Sequence, residues 1–186
     1  MTNIRVSKEG DILLCSDIEK LLEMFGVDIY RFCLKLCQNK VDAEDLYQQT
    51  FLKMMEIETK LDWNDYPKAF VFSITNSIWK NGIRKNARHQ RIAGEISIVE
   101  TNEHLVVDKS NLAQNVQDSI RNQVLHELIQ ELEDKYRIPV LLFYAQDCSV
   151  YEIAQIINKP EGTIKSRLFK ARNILKKRLE EKGYEN

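Results

Sequence analysis

The chain has 186 residues, 44% of them hydrophobic and 30% charged, with six glycines, three prolines and a formal net charge of −1. It is long enough for one ordinary domain or two small ones, each able to bury a core. The composition suits a soluble helical protein, and the near-zero net charge speaks against a wholly basic nucleic-acid coat. The longest apolar run, Ile138 to Ala145, is far too short to span a bilayer, so no membrane insertion is expected.

Nothing at the N-terminus has the apolar core and small residues of a signal peptide, which implies a cytoplasmic location. The cysteines are then expected to be reduced thiols. Residues 1 to 16 are weakly patterned and read as a leader. From Asp17 to Gln38 apolar residues recur at three- and four-residue steps (Ile18, Leu21, Leu22, Phe25, Ile29, Phe32, Leu36), which predicts a helix. Cys33 and Cys37 share one face of it. No second pair and no nearby histidine joins them, so they read as core packing, and neither a metal nor a cofactor is expected.

After a corner at Asn39-Lys40, Asp42 is placed to cap a second helix, DAEDLYQQTFLKMMEIETKL. Leu46, Thr50, Phe51, Met54 and Ile57 face its core, while Asp45, Gln48, Gln49 and Lys53 face outward. This stretch is acidic: residues 42–65 hold seven acids against two lysines. Leu61 to Tyr66 reads as a loop. Pro67 opens a third, longer helix running to about Arg91, whose second half carries five cations and no acid between Lys80 and Arg91. Asn76, Trp79, Lys80, Arg84, Lys85 and Arg88 together offer amides, an aromatic and cations, the chemistry that single-stranded nucleic acid needs for stacking and phosphate neutralisation. Gly82 weakens that helix and allows a bend.

Residues 93–118 have no sustained period and read as a flexible linker. A helix resumes from Ser119 through Leu132, and another spans Asp134 to Ala145. Then comes the most informative stretch, SVYEIAQIINKPEGTIKSRLFKARNILKKR from Ser149 to Arg178. Ser149 and Glu152 have capping-box spacing, Asn158-Lys159 makes a corner, and Pro160 suits the first turn of the next helix. On that last helix Ile164, Leu168, Ala171 and Leu175 fall on one side. The opposite side carries Thr163, Ser166, Phe169 and Lys170, flanked by Lys165, Arg167 and Arg172. Residues 159–178 hold eight cations against Glu161 alone. This is a helix-turn-helix: Phe169 can lie against a thymine methyl, Lys170 and Ser166 can reach base edges, and the arginines can hold phosphates. The last residues, EEKGYEN, read as a frayed tail. The expected fold is all-α: two small helical domains joined by a flexible linker, the second containing the helix-turn-helix.

Three of these segments in order, DAEDLYQQTFLKMM, AFVFSITNSIWKNGIRKNARHQR and ELEDKYRIPVLLFYAQDCSVYEIAQIINKPEGTIKSRLFKAR, resemble the extracytoplasmic-function (ECF) sigma factors of bacterial RNA polymerase. The resemblance implies a region 2 over residues 1–92, a linker over 93–118 and a region 4 over 119–186. It implies core RNA polymerase as partner, through the clamp helices of its largest subunit and the flap. Asp45, Gln48 and Gln49 fall at the family's polymerase contact. Asn76 falls where the family captures an unstacked base of the promoter −10 element, with Lys80, Arg84, Lys85 and Arg88 holding the displaced strand. Lys165, Ser166, Phe169 and Lys170 fall on the positions that read the −35 element. The interval from Asn76 to the first arginine is one residue longer than the family pattern, and Gly82 stands where a bulky apolar residue is usual. The resemblance leaves room for an anti-sigma factor as a further partner. It implies an initiation factor rather than an enzyme.

Two readings compete. A free-standing helix-turn-helix regulator would bind duplex DNA tightly without polymerase, at a palindromic site. A recombinase would need a nucleophile among arginines, and Ser73 and Ser77 lack that company.

Overall fold

The computed structural model describes residues 9–37, 39–56, 67–93 and 116–184. These are helical, with no strand among them, and the chain divides into two compact units, residues 1–101 and 102–186. The Leu61–Tyr66 loop, Ile57 and the body of the expected linker, residues 94–115, lie outside the described residues.

The first unit holds α1 (Glu9–Cys37), α2 (Lys40–Glu56) and α3 (Pro67–Ala93). Helix α1 begins eight residues before Asp17, because a helix once nucleated continues on local hydrogen bonds without strong patterning. Asn39, not Asp42, caps α2: its Oδ1 accepts from the Asp42 N–H at 2.8 Å, and its Nδ2 donates to the Asp42 carboxylate at 2.7 Å. The core forms where Ile29, Phe32, Cys33 and Leu36 of α1 meet Leu46, Phe51 and Met54 of α2 and Val71, Phe72 and Trp79 of α3. The Phe32 and Phe72 rings pack with centroids 5.2 Å apart. Buried Thr50 would be costly unpaired; its hydroxyl is 2.8 Å from the Leu46 carbonyl and 3.3 Å from the Thr75 hydroxyl, which in turn reaches the Val71 carbonyl. Gly26 allows α1 and α2 to approach closely, since a Cβ there would stand 3.2 Å from the Tyr47 hydroxyl.

Cys33 is fully buried, and its thiol is pushed up to about 12 by that burial and then by the neighbouring Cys37. It stays protonated at neutral pH and is a small core residue there. Among the described residues no cluster of metal-ligating side chains is present.

The second unit holds α4 (Val116–Gln130), α5 (Asp134–Val140), α6 (Val150–Ile157) and α7 (Glu161–Glu181). Helix α5 was expected to run evenly to Ala145. Instead it carries Pro139, which has no N–H to give the preceding turn, and the backbone widens into one π turn over Leu141–Ala145. The Cys148 N–H closes that turn on the Leu142 carbonyl at 3.0 Å. The buried guanidinium of Arg137 bonds Asp134 within α5 at 2.9 Å and ties α5 to α4 through Gln130 at 3.1 Å. Arg178, far along α7, reaches Glu131 at 2.7 Å.

As far as Tyr184, the last described residue, the tail is not frayed. Helix α7 runs to Glu181 and closes in a Schellman pattern: the Gly183 N–H bonds Glu180 O and the Tyr184 N–H bonds Leu179 O, both at 2.9 Å. Gly183 takes φ +81°, a conformation that glycine adopts at little cost. No helix among the described residues is long and apolar enough to cross a membrane.

Candidate nucleic-acid interface

The helix-turn-helix is built by local chemistry. The Glu152 N–H donates to Ser149 Oγ at 3.2 Å, and the Ser149 N–H donates to the Glu152 carboxylate at 2.8 Å, a complete capping box. Helix α6 ends on Asn158, whose φ of 54° is left-handed; its N–H and that of Lys159 bond back to Gln155 O and Ala154 O. Pro160, expected in the first turn of the next helix, is instead its N-cap, and α7 begins one residue later at Glu161. Pro160 is extended, and its carbonyl accepts the N–H groups of Thr163 and Ile164 to open α7.

Helix α7 is held by its inner row. Ile164, Leu168, Ala171 and Leu175 are all buried, against Ile153, Ile157 and neighbouring core residues of the unit. The outer side leaves Lys165, Ser166, Phe169, Lys170 and Arg172 exposed, with Thr163 and Arg167 half-buried at its edges. The Phe169 ring is 61% exposed and so forgoes the roughly 1.5–3 kcal/mol that burial of such a side chain provides. The Ser166 hydroxyl donates to Thr163 O at 2.9 Å, which leaves its oxygen free to accept. Lys165 is 3.7 Å from Glu161 in an exposed pair that contributes little and yields readily to a phosphate. At 21 residues α7 is about 30 Å long, and a major groove about 12 Å wide admits it.

The basic half of α3 is an unbroken helix through Gly82. Arg84, Lys85 and Arg88 are exposed and Lys80 is half-buried. Asn76 and Trp79 depart from expectation: they are only 3% and 8% exposed. At 100° per residue they fall on the side that packs against α1 and α2, so the stacking platform read at Trp79 is a core side chain. The polar residues that do share the outward side with the arginines are Ser77 and Asn81, both exposed. Sequence reading missed them by following residue type rather than carrying the helical wheel through the whole segment.

On α2, Asp45, Gln48 and Gln49 are exposed, and Gln49 donates to the Asp45 carboxylate at 2.6 Å. Three large apolar side chains on the same helix are also exposed: Val41, Leu52 and Met55. Val41, Asp45, Gln48, Leu52 and Met55 step by four and three, the spacing of a helix-on-helix seam. Beside it, Gly26, Val27, Tyr30, Glu44, Tyr47 and Gln48 line a shallow groove between α1 and α2. The apolar members of the seam went unnoticed in the sequence, where they look like core residues.

These three surfaces sit on a chain whose family is recognisable. Residues 21–89 match the family description "Sigma-70 region 2" and residues 122–175 match "Sigma-70, region 4". The ECF RNA polymerase sigma factor SigW of Bacillus subtilis is 27% identical over 179 residues, 95% of this chain and 94% of that one. SigM of the same organism, also an ECF RNA polymerase sigma factor, is 29% identical over 164 residues, 86% of this chain and 93% of the other. In fold, the chain is similar to the sigma factor RpoE in its complex with the anti-sigma factor NepR from Bartonella quintana: TM-score 0.70, 24% identity, 88% of this chain and 97% of that one. CnrH, solved with the cytosolic domain of CnrY, gives a TM-score of 0.61 at 17% identity over 92% of this chain and 98% of the other. The chain belongs to the sigma-70 family, in its extracytoplasmic-function group. Its function is that of an alternative sigma factor in promoter-specific transcription initiation, and the free-standing regulator reading falls away.

Proposed function

We propose a division of labour among the three faces. The chain performs no chemistry of its own and lends sequence recognition to core RNA polymerase in the cytoplasm. The outer face of α2, with Asp45, Gln48 and Gln49 at its centre, docks on the clamp helices of the largest polymerase subunit, and the C-terminal unit meets the flap. Helix α7 enters the major groove of the −35 element: Phe169, Ser166 and Lys170 meet base edges while Lys165, Arg167 and Arg172 hold phosphates and Thr163 frames the entry. Lys80, Arg84, Lys85 and Arg88 of α3 hold the strand displaced at the −10 element. Residues 1–92 thus act as region 2, 93–118 as the connector and 119–186 as region 4. Melting a few base pairs costs several kcal/mol, an amount that captured bases, at about 1–3 kcal/mol each, can offset. Two weak readers on one chain also raise each other's effective concentration. Control by an anti-sigma factor, the kind of partner named in the RpoE complex, fits this arrangement.

The observation that supports this most is the exposed Phe169 ring among cations, on a helix whose other side is entirely buried. Run-off transcription across a genomic library with purified core enzyme tests it. Discrete start sites dependent on this chain are expected, and their complete absence would end the proposal.

A further inference from the structure

We propose that Met55 is an oxidant-sensitive contact on the α2 face: conversion of its thioether to the sulfoxide in the free chain weakens the hold on polymerase, and reduction restores it. The inference rests on the reading of α2 as the docking surface and adds a reversible modification site to it.

Two neighbouring methionines on α2 are treated differently by the fold. Met54 is 3% exposed and belongs to the core, whereas Met55 is 59% exposed. At 100° per residue Val41, Asp45, Gln48, Leu52 and Met55 fall within an arc of about 80°, and Met54 stands about 100° beyond its edge. Val41 and Leu52, the other apolar members of that arc, are exposed as well. Three large apolar side chains left uncovered in one stripe are stabilised only when a partner lies over them. A flexible thioether suits such a seam, because it adapts to the gap that the partner leaves.

The same exposure opens the sulfur to oxidation. A peroxide gives it one oxygen: the O–O bond breaks, an S–O bond forms on a sulfur lone pair, and the second oxygen leaves as water. Sulfur loses two electrons and the peroxide gains them. The product is polar and chiral in place of a soft apolar group. Its oxygen is an acceptor set among Leu52 and Val41, so covering it with a partner helix buries a polar atom without a donor. Met54, turned into the core, is shielded as long as the unit stays folded.

The test treats the full chain with hydrogen peroxide and ends the reaction with catalase. Dithiothreitol then returns disulfides and sulfenic acids to thiols and leaves methionine sulfoxide in place. Peptide mass mapping locates the sulfoxides, and binding to untreated core polymerase is titrated, each variant against its own untreated sample. Sulfoxide is expected at Met55 and at Met24, which is 60% exposed on α1, but not at Met54. Binding is expected to fall about tenfold, and the two methionine sulfoxide reductases, one for each sulfur epimer, to restore it. Met55→Leu is expected to lose this response and Met24→Leu to keep it. With core polymerase added before the peroxide, Met55 is expected to be protected while Met24 reacts as in the free chain. A treated Met55→Leu chain that weakens as much as the treated parent would overturn the inference, as would full sulfoxide at Met55 with unchanged binding. A Met55 that oxidises as fast in the complex as in the free chain would instead displace docking from this face, and the inference with it, so the two failures are told apart.

Discussion

Phe169 and Arg172 sit one turn apart on the outer side of α7 and should fail differently. Both are exposed; in the proposed reading Phe169 makes apolar contact with a base and Arg172 acts through its charge. Phe169→Ala is expected to lower recognition of a matched −35 element about tenfold with little effect on mismatched DNA. Arg172→Ala is expected to weaken both alike and to reduce the salt dependence of binding by about one counterion. Binding titrations at two salt concentrations on matched and mismatched promoters check this, and equal losses for the two variants would remove the base-reading role. Neither change should alter folding by more than about 0.5 kcal/mol, because both side chains are on the surface.

Cys33 gives a residue-scale prediction about pH. In the folded chain the thiol is pushed up to about 12 from an ordinary 9.0. Between those values the unfolded chain has lost the proton and the folded chain has kept it, so stability must fall as pH rises from about 9. Tyr47, also raised by burial, acts in the same direction, and Lys35, lowered by burial, acts against it. Cys33→Ala should therefore make the alkaline decline shallower, as read by urea unfolding at pH 8, 9 and 10; parallel curves for the two proteins would contradict the assignment.

At the scale of the element, α3 shows how far a sequence can be read. Its length, its proline start and its basic second half are all evident from residue order. What was not evident is orientation: Asn76 and Trp79 are polar or amphipathic types that function attracts, yet the helical repeat turns them inward. The same limit hid Leu52 and Met55 on α2, since an apolar type says nothing about which side of a helix is left uncovered. Capping was legible wherever one residue type dominates, as with Ser149 and Glu152, and misplaced where Asn39 and Asp42 compete for the role. Gly82 makes the element testable. A Cβ there meets nothing within 4 Å, and the helix continues unbroken through it. Gly82→Ala should stabilise the chain by up to about 1 kcal/mol, seen as a higher urea midpoint. A lowered midpoint would mean that the position needs its freedom.

For the whole molecule, the proposed division of labour gives docking and reading to different helices, which mutation can separate. Gln49 is exposed and, among the described residues, bonds Asp45 within α2. Gln49→Ala should loosen capture by a clamp-helix fragment of the polymerase severalfold while leaving helicity unchanged, and undiminished pull-down would displace the docking surface from α2. The order of the three surfaces along the chain was legible in the sequence because each has its own composition: acidic, then basic with amides, then basic with one ring. The two-unit division was legible for the same reason, since loss of hydrophobic period between the helical halves marks a stretch that cannot bury a core.

On α7 the buried row of Ile164, Leu168, Ala171 and Leu175 shares no position with the outer row that carries Phe169 and Lys170. Substitutions that drift through one register leave the other intact. A duplicated gene could thus acquire a new promoter address by changing a few surface letters, and its product would still fold on the day the address changed.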